Sequence, residues 1–423
     1  MYYREHPAEF PNFRDVPKTG VIYVMAEANR LGFHYGNDQW SNLGQGAPET
    51  GPIEQGPDRM KIIPVSVASH EYGPVGGIPE LRDAVAALYN ARYRKGMSSQ
   101  YSAENVAISA GGRAGLTRIA AALSSVNLGH FLPDYTAYEE LLDLFRDFVP
   151  IPILLKPDDG FRFRPGLLRD EIVGMGLGAV LMSNPCNPTG QVLHGDVLAD
   201  WVDTARELQS MLIFDEFYSH YLYDEAAEGR LSLSACASVT NVNRDPVVVV
   251  DGLTKNWRYP GMRLSWTVGP KRVIEHIISA GSFLDGGAPH AIQQAAIPLL
   301  DPSFADSEAS SIQTHFAKKR EIILERLEKM NMAPKSKPQG SFYCFADLSN
   351  LPEPLQNSMS FFQEALKRKV ICVPGIFFDV NPGKRRSHIP SRLESYVRLS
   401  YGPPVEEVVR GLDRIEAMVN SYI

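Results

Sequence analysis

Cysteine is scarce in this chain of 423 residues: Cys186, Cys236, Cys344 and Cys372 stand far apart, with no pair at C-x-x-C spacing. That excludes a disulfide scaffold and a cysteine zinc site, and makes a reducing cytoplasm the expected compartment. Long apolar runs are also missing. None approaches the roughly 20 residues that a bilayer-spanning helix needs, so no membrane is expected. The opening Met1-Tyr-Tyr-Arg-Glu-His6 lacks the basic-then-apolar order of a secretory leader. Nor is positive charge in excess. Lys and Arg number 42 against 49 Asp and Glu, a net charge of −7. The basic residues are dispersed, which argues against a nucleic-acid partner. Internal repeats and low-complexity stretches are absent as well.

Glycine and proline, by contrast, are plentiful at 34 and 31 residues, as in a loop-rich α/β enzyme. The length allows two or three domain-sized units. From Glu5 to Lys18 the chain is Pro-rich and reads as an arm, followed by a short amphipathic helix over Val21–Leu31. The Gly- and Pro-dense segment from Gln45 to Val75 reads as a long functional or covered loop. Apolar runs then recur at Val106–Ser109, Ala179–Met182, Met211–Phe214 and Val247–Val250. Helical patterns lie among them at Pro79–Arg94, Gly115–Ser124, Ala137–Phe148 and Gly195–Gln209. Unalternating strands interleaved with helices predict a three-layer α/β sandwich with a mostly parallel central sheet. Past Pro302 the pattern changes to a long helix (Ser311–Lys329), an aromatic strand (Ser341–Phe345), a helix (Ser360–Lys369), a strand near Tyr396–Leu399 and a last helix. The expected division is 1–45, an arm and helix joining the small domain; 46–295, the large domain; and 296–423, a small α+β domain.

Ligands of such sheets sit beyond the carboxyl ends of the strands, so the residues after each run matter most. The first run leads into Gly111-Gly112-Arg113, a small-residue turn whose bare backbone and helix N-terminus suit an anion; a plain tight turn is the simpler reading. The second leads into Ser183-Asn-Pro-Cys-Asn187-Pro-Thr-Gly190, a rigid turn offering amide side chains. The third ends in Asp215-Glu-Phe-Tyr218. A carboxylate there is costly unless a cation meets it, although a helix N-cap would also explain it. The fourth leads into Gly252-Leu-Thr254-Lys255, with Arg263 eight positions on across a Pro-Gly turn.

In this order the motifs resemble the fold-type I pyridoxal-phosphate enzymes, specifically the class I/II aminotransferases of the aspartate aminotransferase superfamily. The likeness runs from Leu43-Gly-Gln-Gly-Ala-Pro48 to Tyr396-Val-Arg-Leu-Ser400. It implies that Lys255 forms the internal aldimine with pyridoxal 5′-phosphate and that Asp215 pairs with the pyridine nitrogen. Tyr218 and Asn187 would bond the ring oxygen, and Tyr135 would stack on the ring. Gly111, Gly112, Arg113, Thr254 and Arg263 would form the phosphate cup. Tyr72 would reach the phosphate of a neighbouring subunit in a homodimer. Arg398, with Gly46 beside it, would clamp the substrate α-carboxylate. The implied reaction is amino transfer between an α-amino acid and a 2-oxo acid; the alternative is a lyase or cyclase of the same fold, such as a 1-aminocyclopropane-1-carboxylate synthase-like enzyme. Gly252 replaces the serine the family usually carries three before the lysine, and Arg113 is expected to compensate in the cup, with a serine restored at 252 recovering part of what Arg113→Ala loses. Cys186 and Cys344 are expected as buried fillers, and Phe342 and Tyr343 as core rather than pocket. His220 and His290 read as satisfied or surface histidines. The 281–290 loop departs from the family pattern where a partner subunit normally contributes to the cofactor site, and Lys384-Arg385-Arg386 reads as a solvated basic turn, with recognition of an acidic substrate group as the alternative.

Overall fold

A computed structural model describes Asn12, Val16, Lys18 and residues 20–422. The arm expected over 5–18 otherwise lies outside the described residues. The strands are β1 (Ser41–Asn42), β2 (Val106–Ser109), β3 (Asn127–Leu132), β4 (Val149–Leu154), β5 (Leu177–Ser183) and β6 (Met211–Asp215). They continue with β7 (Val247–Gly252), β8 (Ser265–Val268), β9 (Tyr343–Asp347), β10 (Val370–Ile371), β11 (Val373–Pro374) and β12 (Tyr396–Ser400). The helices are α1 (Gly20–Arg30), α2 (Pro79–Tyr93), α3 (Gly112–Ala122), α4 (Tyr138–Leu144), α5 (Leu167–Met175) and α6 (Gly195–Leu208). After them come α7 (Asp224–Ala227), α8 (Lys271–Leu284), α9 (His290–Ala296), α10 (Pro302–Lys329), α11 (Ser358–Lys367) and α12 (Val405–Asn420).

Seven strands form the main sheet in the order β2-β8-β7-β6-β5-β3-β4. All neighbours are parallel except β8, which runs antiparallel between β2 and β7. Of the inner strands, β7 and β8 are buried at every residue and β3, β5 and β6 at all but one, as a sheet covered on both faces requires. A three-stranded antiparallel sheet, β11-β12-β9, forms a second unit. A short parallel pair, β1 with β10, joins the segment after α1 to that unit. The expected α/β sandwich with a separate α+β segment is thus observed.

The departures have physical reasons. β3 carries Gly129 and His130, and β4 reads Val-Pro-Ile-Pro-Ile-Leu; neither looked like a strand. Two prolines are tolerated in β4 because it pairs only with β3 and lies at the sheet edge. The helix expected over Ala137–Phe148 stops at Leu144 to release the chain into that edge strand. α3 begins at Gly112, inside the segment read as a turn, behind an N-cap Gly111 with φ 92°. α10 begins nine residues before Ser311, where Asp301 caps the N–H groups of Ser303 and Phe304 and Pro302 takes the first helical position. The segment 45–75 carries only one short 3₁₀ turn, Val67–His70. No helix among the described residues is long and apolar enough to cross a membrane.

Candidate active site

The turns after β2, β5, β6 and β7 open on one cavity of about 410 Å³, closed from the other side by α1, the Gln45–Ala47 segment and β12. Strand register does much of the positioning. Ser183 at the end of β5 pairs with Asp215 at the end of β6, so the Asn187 turn and the carboxylate emerge side by side.

Asp215 is buried, and Tyr138 donates its hydroxyl to Oδ2 at 3.0 Å. Burial pushes the carboxyl up to about 6, against the pull of Tyr138, the Phe217 N–H and Lys255. Lys255 donates from Nζ to the Gly46 carbonyl. Its ammonium is held down to about 7, first by desolvation, then by the guanidiniums of Arg398, Arg263 and Arg113, with Asp215 opposing them. Arg398 donates to Asn187 Oδ1 at 2.8 Å and to the Gly44 carbonyl at 2.6 Å, with its guanidinium 4.1 Å from the Tyr343 ring centre. Its buried Nε has no partner among the described residues, which leaves a charged donor for an incoming carboxylate.

At the opposite end, a Cβ on Gly111 would strike the Arg263 guanidinium, and one on Gly112 would meet the Phe217 ring at 2.5 Å. Only bare backbone fits, and the first N–H groups of α3 have no helical acceptor. The Thr254 hydroxyl is buried without a hydrogen-bond partner among the described residues. A positive helix end, an arginine and an orphaned hydroxyl make a cradle for a phosphate dianion. Together with the lysine and the buried carboxylate, these residues fit pyridoxal phosphate.

Lys255, Asp215, Tyr218, Tyr135, Asn187, Arg113, Thr254, Arg263, Gly46, Gly112 and Arg398 all line this one cavity, and Gly111 backs it. Arg113 reaches the Tyr135 hydroxyl at 3.2 Å from Nη2 and 3.4 Å from Nε. Tyr72 is the exception: it is fully exposed and does not line the cavity of its own chain.

Three expectations need correction. Tyr343 is not merely core; its hydroxyl lies 2.7 Å from that of Tyr218 and it lines the cavity, crowding Gly46 so closely that a side chain there is excluded. Gly252 is not a vacated serine position. A Cβ on it would meet the Leu264 carbonyl oxygen at 2.5 Å and Ser265 Cα at 2.7 Å, because β8 packs directly against the end of β7. The basic run near 385 is not simply solvated, since Lys384 pairs with Glu139 and Arg386 with Asp379, outside the catalytic cavity.

Tyr138 was missed, although it stands three residues from Tyr135; a buried strand-end carboxylate needs a donor, and that need was the available signal. Asp134 was also missed. It accepts the Ser183 hydroxyl at 2.5 Å and the Tyr135 N–H at 2.7 Å, tying the two turns together. His220 is a satisfied core residue, with Nδ1 2.8 Å from the Asn256 carbonyl and Nε2 2.8 Å from Arg92. His290, partly exposed, lies outside the cavity. All four cysteines are buried and unpaired.

The pattern of the aminotransferase class I and II family matches residues 38–415. The chain is 25% identical over 347 residues to an aspartate aminotransferase of Pyrococcus horikoshii, covering 82% of each. It is 28% identical over 393 residues to a valine–pyruvate aminotransferase of Mycobacterium tuberculosis, covering 90% of this chain and 91% of that one. Among solved structures, an aminotransferase from Mycobacterium tuberculosis superposes with a TM-score of 0.77 at 25% identity, over 96% of this chain and 97% of the other. The aspartate aminotransferase of Thermus thermophilus with maleate superposes with a TM-score of 0.76 at 23% identity, over 96% and 100%.

Proposed function

Because the chain belongs to the class I and II aminotransferases and so uses pyridoxal phosphate, we propose that it moves an amino group from an α-amino acid to a 2-oxo acid with Lys255 as the reacting amine. The single observation that carries this reading is the convergence of Lys255, Asp215 and Arg398 on one cavity. The bound cofactor supplies a conjugated ring that takes up the electron pair left at the substrate Cα.

The chain's own residues do the rest. Gly111, Gly112, Thr254 and Arg263 anchor the phosphate, and Arg113 adds charge at that end. Asp215 holds a proton on the ring nitrogen, and a positive charge beside it favours its ionised form. Tyr138 orients that carboxylate. Tyr135 provides an aromatic face, while Tyr218 and Asn187 bond the ring oxygen. Burial and the three guanidiniums hold the Lys255 ammonium down to about 7 in the chain alone, and its Nζ is the group placed to accept and return the substrate Cα proton. Arg398, already aimed by Asn187 and Gly44, grips the α-carboxylate as a planar fork.

Tyr72 completes the phosphate site of a second copy, making the active unit a two-fold homodimer; its full exposure on the single chain supports this. The four unpaired cysteines support a cytoplasmic setting. Relatives named for aspartate and for valine and pyruvate leave the substrate side chain to experiment. Mixing the purified holoenzyme with single amino acids should convert its absorbance band in one stoichiometric step, and 2-oxo acids should reverse it. Release of ammonia in place of that reversible exchange would overturn the transfer reading.

A further inference from the structure

Besides the catalytic pocket there is a second cavity, about 500 Å³, where edge strand β4 and the start of α4 face the segment 376–392. Its floor is apolar, built from Pro152, Leu154, Phe377 and Ile389. Leu154 and Ile389 keep 40% and 52% of their surface open, a loss for a wall that nothing covers among the described residues. Its rim is cationic. Lys384 is paired with Glu139 and Arg386 with Asp379. Arg392, exposed, has no hydrogen-bond or ion-pair partner among the described residues. The rim therefore carries one uncompensated guanidinium above an open apolar floor.

We propose that this cavity is a second ligand site, for a small carboxylate with an aromatic or branched apolar body and no amino group. The guanidinium fork matches a carboxylate in bidentate geometry, and the floor matches a hydrocarbon body in a cleft of ordinary ligand size. An ammonium group is disfavoured because both wall carboxylates already hold a cation. Thr136, buried on the same wall, makes no side-chain hydrogen bond among the described residues and offers a further polar contact.

The two cavities share a wall. On α1, Val21 and Ile22 face the catalytic cavity while Tyr23 faces this one. On the turn after β3, Tyr135 faces the catalytic cavity and Thr136 this one, and Gly20 packs against Thr136. An occupant of the second site thus presses on the elements that close the first, so the ligand acts as a regulator of the enzyme.

The site does not depend on the reaction assigned above, and its test reads binding. Calorimetric titration of the holoenzyme with 3-phenylpropanoate should show binding that persists when Arg398→Gln removes the catalytic carboxylate clamp. In that background Arg392→Ala, and separately Leu154→Glu, should weaken it about tenfold or more, the scale of one charge-assisted contact. The probe should also slow amide hydrogen exchange in Gly20–Arg30. Loss of all binding with Arg398→Gln alone, an unchanged affinity in both cavity variants, or binding seen only after residues 1–18 are removed would each overturn the proposal.

Discussion

Lys255 sits among three arginines with one carboxylate to balance them, and its titration follows from that imbalance. An amine attacks only as the free base, and burial followed by repulsion from Arg398, Arg263 and Arg113 favours the free base down to about pH 7. In cofactor-free enzyme, the rate at which Lys255 reacts with an amine-selective reagent should therefore rise through a midpoint near 7 instead of near the usual ~10.4. Arg398→Gln removes a repelling charge, so the midpoint should move up in that variant. A midpoint near 10 in the parent protein would contradict the electrostatic account. Lys255 itself was readable from sequence because it follows a buried Val run and precedes Arg263 at a fixed distance. Tyr343 was not: nothing in an aromatic strand near the end of the chain announces that its hydroxyl reaches Tyr218 on the far side of the fold.

At the scale of elements, the parallel strands were legible where their residues form an unbroken apolar run, as in Ala179–Met182 of β5, Met211–Phe214 of β6 and Val247–Val250 of β7. β3 was hidden by Gly129 and His130 within it, and β4 by two prolines, which only a strand at the sheet edge tolerates. The inserted antiparallel strand β8 was hidden as well, and it decides the character of position 252. Gly252→Ser would press a Cβ into β8 backbone, which cannot swing aside as a side chain can. We expect a loss of roughly 1–3 kcal/mol, the usual cost of overpacking, read as a lower unfolding midpoint in urea. A serine there therefore cannot serve as a rescue. The loss of cofactor affinity expected of Arg113→Ala, roughly 1.5–3 kcal/mol for a charge-assisted bond, must be measured alone. Retention equal to the parent enzyme would show that Arg113 serves Tyr135 and not the phosphate.

For the whole molecule, a shared site has an arithmetic signature. Lys255→Ala and Tyr72→Ala enzymes, each impaired alone, should regain about a quarter of parent activity when mixed and allowed to exchange subunits. Half of the dimers would then be hybrids, each with one intact site of two. No gain on mixing, with exchange verified by mass, would show that Tyr72 does not act across an interface. The sheet order carries a further consequence for how the protein is made. β2, which bears the Gly111-Gly112 cradle, pairs with no strand until β8 exists, because β8 is its sheet neighbour. Arg263 reaches the cradle only with the chain leading into β8. A chain emerging from the ribosome thus presents Lys255 before it owns a finished seat for the phosphate, and Arg398 arrives later still. Contacts so distant in sequence form slowly. Vitamin-derived cofactor is therefore captured after synthesis has passed β8, and chains stalled earlier should be born unable to hold it.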